Sequence, residues 1–555
     1  MPLDVQGARK RVEDYFSRGL TVTELIFAVS VFLVLCCNIS FFRRLFEIYP
    51  PTWGKLPFLG SVFLALVCAT ALIFLILGAR RALKPFLVAA LLVSSVAAYF
   101  MDTFNVVIDV EMIRTVFQTN VAEASDLLSW KLAARFLLLG VLPSILVCKA
   151  RIRRHDSLKA AFVSRLKVIA ALVVVFIAMG IAFPANYYTF FRMHKRVQMY
   201  TNPGSWIFHT TEYVLDTLKP QRETTIVRPI GTDAAIPDWD TDRELIILVV
   251  GEAVRADRFS LNGYEKETNP LLAREDVISF SNFYSSGTMT SFSVPCMFSM
   301  YGRKEYSDKK GRETENLLDV LTHAGANVLW RENNSSSKGV ADRVAYEDFR
   351  TPKGNPVCDV ECRDEGMLSG LQEYIDGTKE GDILIVLHQM GNHGPAYYKR
   401  YPKRFEKFTP VCETSELADC TSEQIENAYN NAILYTDYFL SQVIELLKQN
   451  TGKFETAMFF VGDHGESLGE SGVYLHGLPY MMAPDAQKHV PAIMWFGESF
   501  RIDTASLKAK ADQPFSHDHL FHTVLGMMEI ESEVYDKELD IISSNRIPSA
   551  SANSR

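Results

Sequence analysis

Five long apolar runs in the first third of the chain constrain its fold more than any other feature: Thr21 to Phe42, Leu56 to Leu77, Pro85 to Met101, Leu132 to Cys148 and Val168 to Phe183. A helix needs about 20 apolar residues to cross the hydrocarbon core of a bilayer. Taken singly, the third and fourth runs are short enough to be buried helices of a soluble protein. Five in succession, with basic residues between them, read as a membrane domain. The first is not a cleaved signal, because it is too long and its exit, CCNISFFRRLF, lacks a small-residue cleavage site.

Lys and Arg in the short connections set the orientation. Arg9, Lys10, Arg11 and Arg18 precede the first run, Arg80, Arg81 and Lys84 follow the second, and Lys149, Arg151, Arg153, Arg154, Lys159, Arg165 and Lys167 follow the fourth. These ends belong in the cytoplasm. The third connection instead carries Asp102, Asp109, Glu111, Glu123 and Asp126, while Arg43 and Arg44 leave the first ambiguous. An odd number of crossings places everything after Phe183 outside.

The hydrophobic share of 48%, with 36 Phe, averages two unlike halves. From about Thr224 onward, short apolar strings alternate with charged and Gly/Pro-rich segments. Of nine cysteines, Cys36, Cys37, Cys68 and Cys148 lie in the apolar runs. The close pairs CDVEC and CETSELADC have neither of the usual zinc-knuckle spacings, and an oxidising compartment favours local disulfides. Cys358–Cys362 and Cys412–Cys420 are therefore expected, which leaves Cys296 without a partner.

The segment between the last apolar run and the soluble half mixes aromatic and basic residues and reads either as interfacial helices or as surface helices packed on the soluble domain. The expected divisions are a transmembrane domain over 1–185, interfacial helices and a linker over 186–240, a soluble domain over 241–545 and a disordered tail over 546–555. The soluble half repeats apolar strand-like runs followed by helical patterns, which predicts an α/β sheet with helices on both faces. ELIILVVGE, DILIVLHQMGNHGP, AMFFVGDHGE and PAIMWFGE are the buried-strand runs.

Ligands bind such sheets beyond the carboxyl ends of the strands. Glu252, His388, His393, Asp463 and His464 all follow strand runs and should converge there. Carboxylate, imidazole and hydroxyl ligands suit zinc or manganese. Each motif alone has a plain alternative: GDHGE and GNHGP as turns, Glu252 as a helix cap. The stretch SSGTMTSFSVPCM, with six hydroxyl side chains, falls near a predicted helix N-terminus, where unpaired N–H groups and the helix dipole favour a phosphate oxyanion. Capping remains the alternative role for most of those hydroxyls.

As a set, the five apolar spans with VVGE, SSGTMTSFSVPCMFS, LWRENNSSSKGV, LHQMGNHGPAYYKRY, AYNNAILYTD and DHGESLGESGVYLHGLP closely resemble the lipid A phosphoethanolamine transferases, the family that includes the mobile colistin-resistance enzymes. The resemblance covers nearly the whole chain. It implies a five-helix transmembrane domain followed by an alkaline-phosphatase/sulfatase-like α/β domain, in the inner membrane with the catalytic domain in the periplasm. It also implies one tight zinc site, with a second zinc as an option.

Carried over position by position, it puts the nucleophile on Thr290, which is also a zinc ligand with Glu252, Asp463 and His464. His393 and His476 match second-metal or substrate-phosphate histidines. Thr288, Asn334 and Lys338 match residues near the phosphoethanolamine group, and Glu466 and His388 further residues around the site. Gln118 and Glu123 match donor-lipid residues, but Thr115 stands where the family has Asn. Ser286 stands where the family commonly has a cysteine bridged to the one in VPC, so that bridge cannot form.

The implied activity is transfer of phosphoethanolamine from phosphatidylethanolamine to a phosphate of lipid A through a phosphoethanolamine-threonine intermediate, giving resistance to polymyxins and cationic peptides. An inner-core sugar as acceptor, or a membrane-anchored phosphatase or phosphodiesterase, are the competing readings. A sulfatase is disfavoured because VPCM lacks the Cys-x-Pro-x-Arg context of formylglycine. A monomer with lipid partners and no nucleic acid is expected.

Overall fold

The computed structural model describes residues 19–78, 82–119, 121–153, 157–218 and 227–547. The basic N-terminal arm, Arg80, Arg81, Arg154 and the tail beyond Ile547 lie outside them. The chain divides into two compact units: Met1–Ile113 with Leu128–Lys219, and Arg114–Leu127 with Pro220–Arg555. The second unit thus takes in a stretch of the acidic connection between the third and fourth apolar runs. Arg546 and Ile547, expected at the head of a disordered tail, are held: Arg546 pairs with Glu529, and Ile547 N donates to Arg501 O at 3.0 Å.

In the first unit, Leu56–Leu77, Leu83–Thr103, Trp130–Lys149 and Lys159–Ala182 are each long and apolar enough to span a membrane. The first apolar run does not form one straight helix as expected. It folds as Val22–Cys36 and Ile39–Ile48, bent by 62°, and counting the bent pair as one span gives five. Asn38 sits at the break. Its Nδ2 donates to Leu33 O (3.0 Å) and Asn202 O (2.7 Å), and its Oδ1 accepts from Asn202 N (2.8 Å). A polar side chain that satisfies freed backbone groups lets a helix break inside an apolar environment. A π-helical turn, Phe136–Val141, lies within the fourth span. Its Gly140 packs against Ser95, where an added Cβ would come within 2.7 Å of Oγ.

The second unit is built on a seven-stranded sheet: β1 Glu244–Gly251, β2 Ile278–Phe280, β3 Asn327–Glu332, β4 Ala345–Asp348, β5 Ile383–His388, β6 Glu455–Gly462 and β7 Ala492–Phe496. The strand order is β2-β7-β6-β1-β5-β3-β4. Every pair is parallel except those of β7, which runs antiparallel to β6 and β2. β1, β5 and β6 are buried along their whole length, as continuous apolar runs require when helices cover both faces.

Alternation along β1 separates two cores. Ile246, Leu248 and Val250 join one with Leu317, Leu318 and Leu321, and Leu245, Ile247 and Val249 join the other with Ile425, Ile433, Leu440 and Ile444 of helix Ser422–Lys448. That helix starts at Thr421, which forms a capping box with Gln424. Disulfides join Cys358 to Cys362 and Cys412 to Cys420, while Cys296 is free and buried.

Candidate active site

The strand register brings the predicted ligands abreast. Val250 lies opposite His388 and Gly251 opposite Gly462, so Glu252 and Asp463 leave adjacent strands together. Thr290 opens helix Thr290–Met297. Its hydroxyl donates to Glu252 Oε2 (2.9 Å) and lies 3.3 Å from His464 Nε2. His464 Nδ1 is 2.9 Å from Gly465 O, an acceptor only, so Nδ1 carries the proton and Nε2 faces the carboxylates. Nε2 is 3.2 Å from Glu252 Oε1 and 3.5 Å from Asp463 Oδ2.

Electrostatics define what this cluster can hold. Burial pulls the His464 imidazole down, but the Asp463 and Glu252 charges outweigh it and push the ring up to about 10. Burial also raises Glu252, yet the His464 charge holds it well below the usual carboxylate range. Asp463 is pushed up to about 6 by burial and by Glu252. Two buried carboxylates demand a positive partner. Glu252 Oε1 and Asp463 Oδ2 are buried and face His464 Nε2, at 3.2 and 3.5 Å, and Glu252, Asp463 and His464 each offer a ligand atom within 4.8 Å of the others. Two carboxylates, an imidazole with its tautomer fixed by a backbone carbonyl, and a hydroxyl fit a zinc ion.

The neighbouring predicted residues fall into distinct positions. Asn334 Nδ2 donates to Glu252 Oε2 (2.7 Å) and to Gln389 O (2.9 Å). His476 Nδ1 lies 2.7 Å from Glu466 Oε2, and Tyr397 OH donates to Glu466 Oε1 at 2.6 Å. The His464 and His476 rings are 4.3 Å apart, and His393 and His476 5.6 Å. His464, Glu466 and His476 form a second group able to hold a cation. His388 pairs with Glu332 at 3.0 Å and leaves Nε2 buried without a partner.

Three predicted residues are not aimed at Thr290 Oγ1. The Thr288 hydroxyl donates to Leu478 O at 2.7 Å, and Lys338 Nζ bonds Ser335 Oγ. Lys338 and the exposed Gln118 line a cavity of about 350 Å³ beside Ser291, which also receives Arg114 and Arg343. The Glu123 side chain lies outside the described residues. Thr115, in the place of the family asparagine, sits 3.2 Å from Ser291 Oγ and donates to Met289 Sδ, so it touches both neighbours of Thr290.

Several residues that hold the site escaped sequence reasoning. His517 Nδ1 accepts from Ser286 N (3.1 Å), and its Nε2–H donates to Gly462 O (2.9 Å), tying the Thr290 loop to the end of β6. Burial keeps this ring neutral and pushes it down to about 4. Ser293 Oγ donates to Asp463 O. Asp364, wholly buried, accepts from Met390 N (2.9 Å) and Gly391 N (3.2 Å). Gly391, at φ 52°, passes so close to Glu252 that a Cβ would lie 2.8 Å from its carbonyl oxygen. Arg400 Nε donates to His393 O (2.6 Å), while Asp126 reaches Arg400 (2.7 Å) and Lys399 (2.6 Å). Glu332 was the one residue with a usable signal, since it closes β3 opposite His388.

Residues 66–218 match the family model "Phosphoethanolamine transferase EptA/EptB", and residues 244–530 match "Sulfatase". The chain is 40% identical over 512 residues to phosphatidylethanolamine transferase Mcr-2 of Escherichia coli, covering 90% of this chain and 94% of the relative. It is 36% identical to phosphoethanolamine transferase EptA of Escherichia coli strain K12, covering 95% and 98%. Among solved structures, the integral membrane protein lipooligosaccharide phosphoethanolamine transferase A of Neisseria meningitidis aligns with a TM-score of 0.89 at 34% identity, covering 94% of this chain and 99% of that one.

Proposed function

This chain belongs to the phosphoethanolamine transferase family, and we propose that it moves phosphoethanolamine from phosphatidylethanolamine to a phosphate of lipid A through a covalent intermediate on Thr290. The observation that carries the reading is the convergence of Thr290 Oγ1, Glu252, Asp463 and His464 at the carboxyl edge of the sheet. Lipid donor and lipid acceptor account for the apolar helices, which anchor the enzyme in the inner membrane with the α/β domain in the periplasm.

When bound by Glu252, Asp463, His464 and Thr290, zinc supplies a positive charge that lowers the pKa of the threonine hydroxyl. Thr290 Oγ1 attacks the phosphorus of phosphatidylethanolamine. Thr290 gives up its hydroxyl proton to solvent, the new Oγ1–P bond forms as the bond to the diacylglycerol oxygen breaks, and that oxygen leaves protonated. His476, with Nδ1 fixed by Glu466, presents its other ring nitrogen for that proton transfer, and His393 stands beside it. Asn334 and the first N–H groups of helix Thr290–Met297 orient the site for a phosphoryl oxyanion.

A phosphate oxygen of lipid A then attacks the same phosphorus and releases Thr290. The added ethanolamine ammonium lowers the negative charge that attracts cationic peptides, so polymyxin resistance follows.

Incubating full-length protein with phosphatidylethanolamine, with and without lipid A, tests the acceptor. The reading expects modified lipid A and equimolar diacylglycerol. Free phosphoethanolamine as the main product in both reactions contradicts it and identifies a hydrolase.

A further inference from the structure

At the opposite end of β1 from Glu252, four carboxylates gather around a single ion pair, Glu529 with Arg546. Glu244, the first residue of the strand, is 0% exposed; its carboxyl lies within hydrogen-bond reach of the Asp382 carboxyl, and neither of its oxygens receives an N–H or hydroxyl donor. Asp240, from the connector that leads into β1, and Glu529, just beyond helix Leu520–Met527, each bring an oxygen to it, all three ligand atoms lying within 4.8 Å of one another. Asp240 Oδ2 and Glu529 Oε2 are likewise buried without partners. Asp382 stands beside them, with Oδ1 accepting from Glu244 N at 3.1 Å and Oδ2 receiving no N–H or hydroxyl donor.

Of the nearby arginines, Arg546 reaches one member of the group, Glu529, while Arg501 and Arg243 are engaged elsewhere. Arg501 pairs with Glu455 (2.8 Å) and Asp242, Arg546 takes Glu529 Oε1 and the Gly526 carbonyl, and Arg243 donates to Gly381 O at 2.8 Å. Among the described residues, no Lys or Arg pairs with Asp240, Glu244 or Asp382. Burial, then Asp382 and Asp240, push the Glu244 carboxyl up to about 11, so charge alone disfavours this arrangement. Isolated buried carboxylates cost several kcal/mol each unless neutralised.

We propose that Asp240, Glu244 and Glu529, with Asp382 beside them, form a structural site for a hard divalent cation of the calcium class. The donors are all carboxylate oxygens from separate segments, the chemistry of calcium rather than of zinc. A cation there clips the connector, the base of β1 and the C-terminal segment together. It stands at the opposite end of β1 from the Thr290 cluster and takes no part in transfer.

The test uses full-length protein in detergent, dialysed against EGTA, reloaded with one equivalent of zinc and titrated with calcium chloride. One calcium per chain should bind in calorimetry, and calcium at 100 times its Kd should raise Tm by about 3 °C. Glu244→Gln should abolish both effects while its transferase activity in calcium-free buffer stays at the wild-type level. If that variant does not fold, Asp240→Asn on the half-buried connector should weaken calcium binding at least tenfold.

No binding of calcium, magnesium or manganese to wild type at millimolar concentration overturns the proposal. So does calcium binding that both variants retain. A Glu244→Gln protein that is more stable than calcium-treated wild type also overturns it, because protons then neutralise the cluster.

Discussion

Replacing His517 with Leu removes a buried side chain that links the Thr290 loop to the end of β6. His517 is buried, and both of its ring nitrogens bond main-chain groups: Ser286 N at 3.1 Å and Gly462 O at 2.9 Å. Leucine keeps the volume but strands one N–H and one C=O, at about 1–3 kcal/mol each, so about 2–6 kcal/mol of stability is at risk. His517→Gln re-supplies one acceptor and one donor and should recover most of it.

The pH dependence has a definite sign. Burial lowers the folded ring to about 4, against roughly 6.5 in the unfolded chain. Its contribution is therefore fully present above about pH 6.5 and is lost as pH falls toward 4, roughly 3 kcal/mol in all. Thermal unfolding of wild type, His517→Leu and His517→Gln between pH 4 and 8 reads this directly, alongside phosphoethanolamine transfer at pH 7. The Leu variant should lose both stability and kcat, and its stability should vary less between pH 6.5 and 4 than that of wild type. A Leu variant with wild-type Tm and kcat refutes the positioning role. Equal acid sensitivity in all three proteins refutes the neutral tautomer.

Two further substitutions probe the same loop and its surroundings. Ser286→Cys should bridge to Cys296, whose thiol is in contact with the Ser286 hydroxyl and is pushed up to about 12 by burial. Thiol counting by alkylation and mass should find one free thiol fewer than in wild type, with about 2–3 kcal/mol of added stability. One thiol more than in wild type means the geometry is wrong. Asp126→Ala uncovers the guanidinium of Arg400, which is 1% exposed and holds the His393 carbonyl. With Glu361 still paired to Arg400, a loss of about 2 kcal/mol is expected, together with slower transfer. Burial raises the Asp126 carboxyl, but Arg400 and Lys399 hold it below the usual range, so the difference from wild type should be constant above about pH 4 and close only below it. A difference that disappears between pH 5 and 7 argues against this ion pair.

Much of the site was legible because parallel buried strands write themselves as apolar runs and leave ligands at their ends. Glu252, Asp463 and His464 were found that way, from residues about 200 positions apart. What was not legible depended on long-range pairing. His517 comes from SHDH, a polar turn whose local pattern says nothing of Ser286, 231 residues away. The bond from the Thr288 hydroxyl to the Leu478 carbonyl, 190 residues away, is of the same kind. The bend in the first apolar run follows from Asn38 meeting Asn202, a partner that hydropathy cannot foresee. The acidic group around Glu244 likewise joins residues from across the domain, and β1 alone reads only as a buried strand beginning with a charge.

In the proposed mechanism Thr290 carries phosphoethanolamine between two lipids. Intact-mass spectrometry of the full-length, zinc-loaded protein after exposure to phosphatidylethanolamine alone tests it most directly. One phosphoethanolamine adduct is expected on Thr290, discharged on addition of lipid A, absent from Thr290→Ala and present in Thr290→Ser. An adduct of equal yield on Thr290→Ala, or transfer to lipid A by Thr290→Ala at the wild-type rate, contradicts it.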